Sequence, residues 1–225
     1  MKSNVIRVAL VDDHTLFRKT LKNFLSEQST IDVVINSPDI PDLLSALNNT
    51  TIDVLLMDIF MPKINGHEAI KTIKNQFPAI KVLALSMCTD MNLLSDLLDS
   101  GIYGIISKTD EPEELIRAIT SIHDQRLFRS RLFTEVMYWS KQMHITTNTD
   151  MVNISLSERE RKVLELLWEE KSNKEIASQL FLSIRSIEKM RQDMKEKLGI
   201  KSTIGLIKYA INKRIIGINH SVIPD

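Results

Sequence analysis

Five short apolar stretches punctuate the first half of the chain at 5–11, 32–36, 53–58, 81–86 and 103–108, and each closes on polar residues. Most are continuous apolar runs, the pattern of strands covered on both faces. Helical patterns stand between them. The first places Phe17, Leu21, Phe24 and Leu25 on one stripe, and the last opens on Glu111-Pro112 with proline at the first turn. Strand and helix alternating five times imply parallel pairing with helices on both faces. Residues 1–125 are therefore predicted to form an α/β doubly wound five-stranded parallel sheet.

The C-terminal ends of parallel strands share one edge of their sheet. That edge gathers Asp12 and Asp13 behind Val8–Val11, Asp58 behind Val54–Met57, Ser86, and Lys108 behind Ile105–Ser107. Three carboxylates ~5 Å apart repel by roughly 3 kcal/mol per pair at an effective dielectric near 20, so a cation is expected among them. Carboxylate oxygens suit a hard divalent ion, and Mg²⁺ keeping water and a phosphate is the usual occupant of such an open site. Lys108 supplies a point charge and the Ser86 hydroxyl a donor for phosphate oxygens. Asp58 is then the nucleophile, able to hold a phosphoryl group as an aspartyl phosphate. A single Asp at a strand end is an ordinary turn residue; the ordered set of five is what points to chemistry. His14 reads as a helix-start residue at the pocket rim, and the other histidines show no metal-ligand spacing.

The length of 225 residues suits two domains, and 43% hydrophobic with 26% charged residues is ordinary globular composition. No apolar run reaches the ~18 residues of a membrane span, and the first residues lack the apolar core of a signal peptide. The single Cys88 cannot form an intramolecular disulfide. A cytoplasmic protein without membrane association is expected. Charge is segregated: residues 1–125 hold 11 Lys and Arg against 17 Asp and Glu, residues 155–225 hold 14 against 10. The basic rear half suggests a polyanionic partner.

Residues 126–154 read as a linker with one helix around Leu132–Met143, followed by the polar, aperiodic His144–Asp150. Residues 155–220 carry four helix starts, and 221–225 form a tail. Ser157 with Glu160 and Ser172 with Glu175 have capping-box spacing, while Ser183 and Ser202 cap the third and fourth helices. The short joint Phe181-Leu182-Ser183 has the length of a helix-turn-helix turn. On the third helix Ile184, Ile187, Met190, Met194 and Leu198 fall on the buried side, and Arg185, Lys189, Gln192 and Glu196 point outward. Lys or Arg to guanine and Gln to adenine are favoured base contacts, so this face suits double-stranded DNA. Lys174, Arg191, Lys195 and Lys201 lie close enough to touch phosphates.

Ser157-Glu-Arg-Glu-Arg-Lys-Val-Leu-Glu-Leu-Leu167, Ser172-Asn-Lys-Glu-Ile-Ala177, Leu182-Ser-Ile-Arg-Ser-Ile-Glu-Lys189 and Lys197-Leu-Gly199 closely resemble the LuxR-type helix-turn-helix. The acidic pair, Met57-Asp58-Ile-Phe-Met-Pro62 with Gly66, Ser86 and Lys108 resemble the flavodoxin-like receiver domain of two-component systems. Together they look like a response regulator of the NarL/LuxR family. The resemblance implies that a sensor histidine kinase phosphorylates Asp58 with Mg²⁺ bound, and that Ser86 and Lys108 hold the phosphoryl oxygens. It makes Asp13 a direct metal ligand and Asp12 one through water, with the Phe60 backbone carbonyl completing the protein ligands. It assigns base reading to Glu188, Lys189 and Gln192, and phosphate contacts to Lys174, Arg185 and Ser186. A homodimer on DNA, paired through the last helix at Ser202–Asn212, is implied as well, and no enzymatic activity is expected.

The implied function is transcription regulation through phosphorylation-controlled dimerisation and sequence-specific DNA binding. An alternative is a DNA-binding regulator whose receiver is vestigial or acts without phosphorylation. It is motivated by Ile105 where receivers often carry a switching aromatic, by Thr109 in place of a following proline, and by Met190 in place of a polar residue.

Overall fold

The computed structural model describes residues 5–62, 65–88, 90–146 and 156–217. Strands β1 (Ile6–Val11), β2 (Ile31–Ser37), β3 (Val54–Asp58), β4 (Lys81–Ser86) and β5 (Gly104–Ser107) alternate with helices α1 (Thr15–Ser26), α2 (Ile40–Leu47), α3 (Gly66–Gln76), α4 (Met91–Asp99) and α5 (Pro112–His123). All pairs are parallel in the order β2-β1-β3-β4-β5. The strand ranges expected from the apolar runs agree to within a residue at each end, because a continuous buried run has few other places to go. Glu111 and Pro112 open α5 as anticipated.

The strand order reverses between β1 and β3, which puts their C-terminal ends on either side of the crevice where doubly wound sheets hold ligands. Asp12 and Asp13 follow β1 and Asp58 ends β3, so the acidic group occupies that crevice. Behind it the loop from β3 is held close: a Cβ on Gly66 would lie 2.7 Å from the Ile59 carbonyl oxygen. Glycine is required there by close backbone approach.

The sheet has a core on each face, divided by the two-residue strand period. Val8, Leu10, Leu56, Leu83 and Ile106 pack with Leu25, Ile119 and Ile122 beneath α1 and α5. Ala9, Val11, Leu55, Met57, Val82 and Ile105 pack under α2, α3 and α4. This second cluster does not stop at the sheet. It continues through α6 (Arg131–Thr146) into α7 (Glu158–Trp168), α8 (Asn173–Gln179), α9 (Ile184–Leu198) and α10 (Thr203–Asn212).

The segment expected as a linker is in large part this α6. Phe133, Val136 and Met137 are fully buried, and Ser130 donates a hydrogen bond to the Ile105 carbonyl while accepting the Phe133 N–H at 3.0 Å. The helix runs through Thr146, past His144 where the polar, aperiodic stretch begins. An apolar stripe already packed on a sheet carries helix into residues whose own propensity is indifferent. Residues 147–155 of the expected linker and the tail 221–225 lie outside the described residues.

Both capping boxes form. Ser157 accepts from the Glu160 N–H while Glu160 accepts from the Ser157 N–H, and Ser172 with Glu175 do the same. Ser183 and Ser202 accept from Ser186 and Gly205 N–H groups. Ile187 and Met194 are fully buried on α9, but Ile184 is 44% exposed. It stands in the first turn and lines an open groove beside Asn173 and Lys174, so periodicity alone misplaced it.

Candidate functional site

The pocket is built from strand ends. Asp12 is fully buried: its Oδ1 accepts the His14 N–H at 2.8 Å, and its carbonyl accepts Arg18 Nη1 at 2.5 Å. Asp58 is 2% exposed, with Oδ1 taken by the Phe60 N–H at 3.0 Å. Lys108 follows β5, and its Nζ lies 2.6 Å from Asp58 Oδ2 and 2.7 Å from Asp12 Oδ2. The Phe17 ring sits 4.7 Å from the same ammonium. The charge repulsion inferred from the sequence is thus partly met within the protein, by a lysine inserted between two of the three carboxylates.

One charge among three leaves the group anionic. Among the described residues no donor makes a hydrogen bond to the buried Asp13 Oδ1, an arrangement that costs free energy unless a cation or water completes it. Oxygens of Asp12, Asp13 and Asp58 and a ring nitrogen of His14 lie within 4.8 Å of one another. This oxygen-rich donor set fits Mg²⁺.

Two placements refine the expectations. His14 is the N-cap of α1 but makes no side-chain cap bond; its Nδ1 stands 3.2 Å from Asp13 Oδ1 and 3.4 Å from Asp12 Oδ1. Ser86 is fully buried at the end of β4, next to the strand that carries Asp58, and its Oγ accepts the Cys88 N–H at 2.9 Å. The Lys108 N–H donates to the Ser86 carbonyl at 2.8 Å, but among the described residues the Ser86 hydroxyl makes no bond to Asp58 or to the Lys108 ammonium. The opening above Asp58 is a pocket of about 280 Å³ walled by His14, Phe60, Met87, Cys88 and Lys108. Phe60 is 40% and Met87 69% exposed, so the rim is apolar.

The second surface lies on the rear helices. Lys174, Arg185, Glu188, Lys189 and Gln192 are exposed and Ser186 is half-buried, so the six residues assigned to DNA form an accessible array at the start of α8 and along α9. Part of it faces the receiver: Lys174, Ile184 and Glu188 share a groove of about 460 Å³ with His123, Asp124, Gln125 and Arg126. Arg191, expected to touch phosphate, is occupied differently. Its guanidinium donates to Asn173 Oδ1 and, at 2.6 Å, to Thr203 Oγ1, tying α8, α9 and α10 together.

Sequence reasoning missed the contact that joins the halves. Lys208 on α10 is 9% exposed, and its Nζ donates to Ser95 O at 3.2 Å, Ser95 Oγ at 3.0 Å and Asp99 Oδ2 at 2.5 Å on α4. A lone lysine inside Ile204-Gly-Leu-Ile-Lys-Tyr-Ala-Ile211 was the available signal, since an ammonium on an apolar helix must find acceptors.

Residues 8–120 match the response regulator receiver domain, and residues 154–210 match the luxR family of bacterial regulatory proteins. The oxygen regulatory protein NreC of Staphylococcus aureus strain MRSA252 is 31% identical over 215 residues, which span 94% of this chain and 99% of NreC. Among solved structures, the Salmonella typhimurium RcsB response regulator aligns with a TM-score of 0.58 and 27% identity, covering 92% of this chain and 98% of its own. An RcsB–DNA complex aligns at 0.57 and 28% over 93% and 99%. No helix among the described residues is long and apolar enough to cross a membrane. The chain belongs to the NarL/LuxR family of two-component response regulators, transcription regulators that join a receiver domain to a LuxR-type helix-turn-helix.

Proposed function

We propose that a sensor histidine kinase phosphorylates Asp58 and that the modification frees the DNA-binding domain to dimerise on DNA and control transcription. The observation that carries this is Lys108 Nζ held 2.6 Å from Asp58 Oδ2 and 2.7 Å from Asp12 Oδ2 at the sheet's switch point. Asp12, Asp13, Asp58 and the Phe60 carbonyl would hold Mg²⁺, which when bound neutralises charge on the phosphoryl oxygens. Asp58 Oδ2 attacks phosphorus; an O–P bond forms as the bond to the donor, a kinase histidine nitrogen, breaks. Lys108 must give up Asp58 Oδ2 and can then meet a phosphoryl oxygen while Asp12 retains it. The Ser86 hydroxyl, one strand away, turns its proton to another.

The new charge biases the neighbouring α4 face. That face carries Ser95 and Asp99, the acceptors of Lys208, and α10 meets it while its other sides are buried on α6, α7 and α9. The helix proposed to pair two copies is thus covered while the domains are closed, and Lys174 and Glu188 look onto the receiver. Opening uncovers both at once. Two copies are needed because a single small module buries only about 600–1,000 Å² on DNA. Lys189, Gln192 and Glu188 then read bases, while Lys174, Arg185 and Ser186 hold phosphates. RcsB supports this reading, having been solved on promoter DNA in the presence of the phosphomimetic BeF₃⁻.

Incubation with acetyl phosphate and Mg²⁺ should label Asp58, shift light scattering to a dimer and raise DNA affinity, with Asp58→Asn blocking all three. A label that survives Asp58→Asn removes the switch. The second reading, DNA binding without phosphorylation, is favoured by Ile105, which is fully buried and tied through its carbonyl to Ser130. Equal DNA affinity with and without phosphodonor selects it.

A further inference from the structure

Between the two halves lies a partly open pocket of about 220 Å³ lined, among the described residues, by five cationic side chains and no carboxylate. Lys74 and Arg126 come from the receiver side, at the end of α3 and after α5; Arg191, Lys195 and Lys201 come from α9 and the turn behind it. The first turn of α10, from Thr203, adds the positive end of a helix dipole to the same wall.

The groups that hold these cations mostly leave their charge uncompensated. Lys74 Nζ donates to the Ile80 carbonyl at 2.8 Å and lies 5.2 Å from the Tyr103 ring. Arg191 bonds to Asn173 and Thr203, both neutral. Glu175 reaches Arg126 at 3.3 Å, but Arg126 Nε is buried without an acceptor. Glu188 and Glu196 on α9 act only from outside the cavity. Burial and then the nearby Lys195 hold the Lys74 ammonium below its ordinary value, and burial followed by Arg191 does the same to Lys195. The cations are thus pressed together by the fold across the domain boundary.

The geometry points to this cavity as a binding site for a small polyvalent oxyanion, pyrophosphate or the diphosphate of a nucleotide, that bridges the receiver and the DNA-binding domain. The volume equals about seven waters at roughly 30 Å³ each, room for a diphosphate but not for a strand of nucleic acid. Lys and Arg recognise such oxygens by charge-assisted hydrogen bonds. Because the anion engages both walls, it holds the closed arrangement and opposes DNA, which needs the phosphate-facing side of α9. The site stands apart from Asp58 and does not depend on its phosphorylation.

The test uses the full chain without Mg²⁺, titrated with sodium pyrophosphate, orthophosphate and ADP against sodium chloride of matched ionic strength. Calorimetry should give one pyrophosphate per chain. At about 100 times the dissociation constant the unfolding midpoint should rise by about 5–10 °C. Lys74→Gln and Lys195→Gln, one on each wall, should each weaken binding by about tenfold or more, with Lys22→Gln on the outer face of α1 and Asp58→Asn unchanged. Tighter binding of ADP than of pyrophosphate assigns the nucleotide as source, and the reverse assigns the inorganic anion. Pyrophosphate should lower DNA affinity in the wild type and do so less in Lys74→Gln, whose side chain lies off the DNA-facing helices. The proposal fails if chloride reproduces the midpoint shift, if no stoichiometric binding is found, or if Lys195→Gln matters and Lys74→Gln does not.

Discussion

The receiver and the DNA-binding domain bury their apolar faces differently. In the receiver the sheet face under α1 and α5 closes a core of its own, and Leu10, Leu56 and Leu83 within it have no exposed surface. The rear bundle is small, and it completes its core on its neighbour: α10 lies against α4 and α6, within one cluster that runs from Leu55 to Ile211. A domain whose core closes on itself can persist while its partner moves. One that shares its last helix trades a self-contained surface for a contact that can be exchanged, here for the same helix of a second copy.

The largest effect is expected from breaking the self-contained half. Leu56→Ala at the centre of β3 should lower stability by about 3–5 kcal/mol, through lost burial and the cavity left behind, as read from denaturant midpoints. A loss below about 1 kcal/mol would mean the sheet is looser than its burial indicates. Next comes the shared surface. Asp99→Ala leaves Lys208 with only Ser95 acceptors and should cost about 1–3 kcal/mol at the interface, moderated because Asp99 is 51% exposed. The informative outcome is that DNA affinity of the unphosphorylated protein rises as stability falls. A fall in both would show that the contact supports folding without restraining the domain.

On the DNA face, Lys189→Ala should reduce discrimination between sequences by about 1–3 kcal/mol, whereas Lys174→Ala should weaken all sequences alike and flatten the salt dependence by about one unit of slope. Gel shifts at several salt concentrations separate the two, and no change from either would displace the proposed docking. The smallest effect sharpens the comparison at the caps. Bonds from the Ser172 side chain and backbone hold the Glu175 carboxyl below its ordinary value of 4.5, with burial opposing and the Arg126 and Lys171 charges adding to the lowering. A depressed carboxylate stabilises the fold above the unfolded value and loses that contribution as pH falls below about 4.5 and through the folded value. Melting of the rear domain should therefore show an acid-side decline that Glu175→Gln reduces and that the similarly lowered Glu160 carboxyl partly retains, with the midpoint-against-pH curve as the measurement.

Much of the fold was legible because its signals are local. Continuous apolar runs mark doubly covered strands, and the pairs Ser157 with Glu160 and Ser172 with Glu175 mark helix starts by a spacing of three. The acidic pocket was legible for a topological reason, since parallel strands bring their ends to one edge whatever lies between. Three features were not. Lys108 could be placed in the pocket but not between Asp12 and Asp58, because the reach of a long side chain depends on the strand register beneath it. Ile184 has the periodicity of a core residue, yet it lines the open groove beside Lys174 and Glu188 while Ile187, in the same turn, is buried. Arg191 has the charge of a phosphate contact but spends it on Asn173 and Thr203, a choice made by where α8 and α10 cross its helix.

Residue order alone determined the two architectures, the edge at which three aspartates and a lysine meet, and the family to which these motifs belong, because each follows from periodicity and topology within one domain. Only the tertiary structure decided how the two domains face each other: Lys208 clasped by α4, α10 withdrawn from solvent, and five cations gathered around one pocket. Such contacts join residues on opposite halves of the chain, as Lys208 and Ser95 are, and are set by the complementarity of two finished surfaces. No local pattern in the sequence encodes that fit.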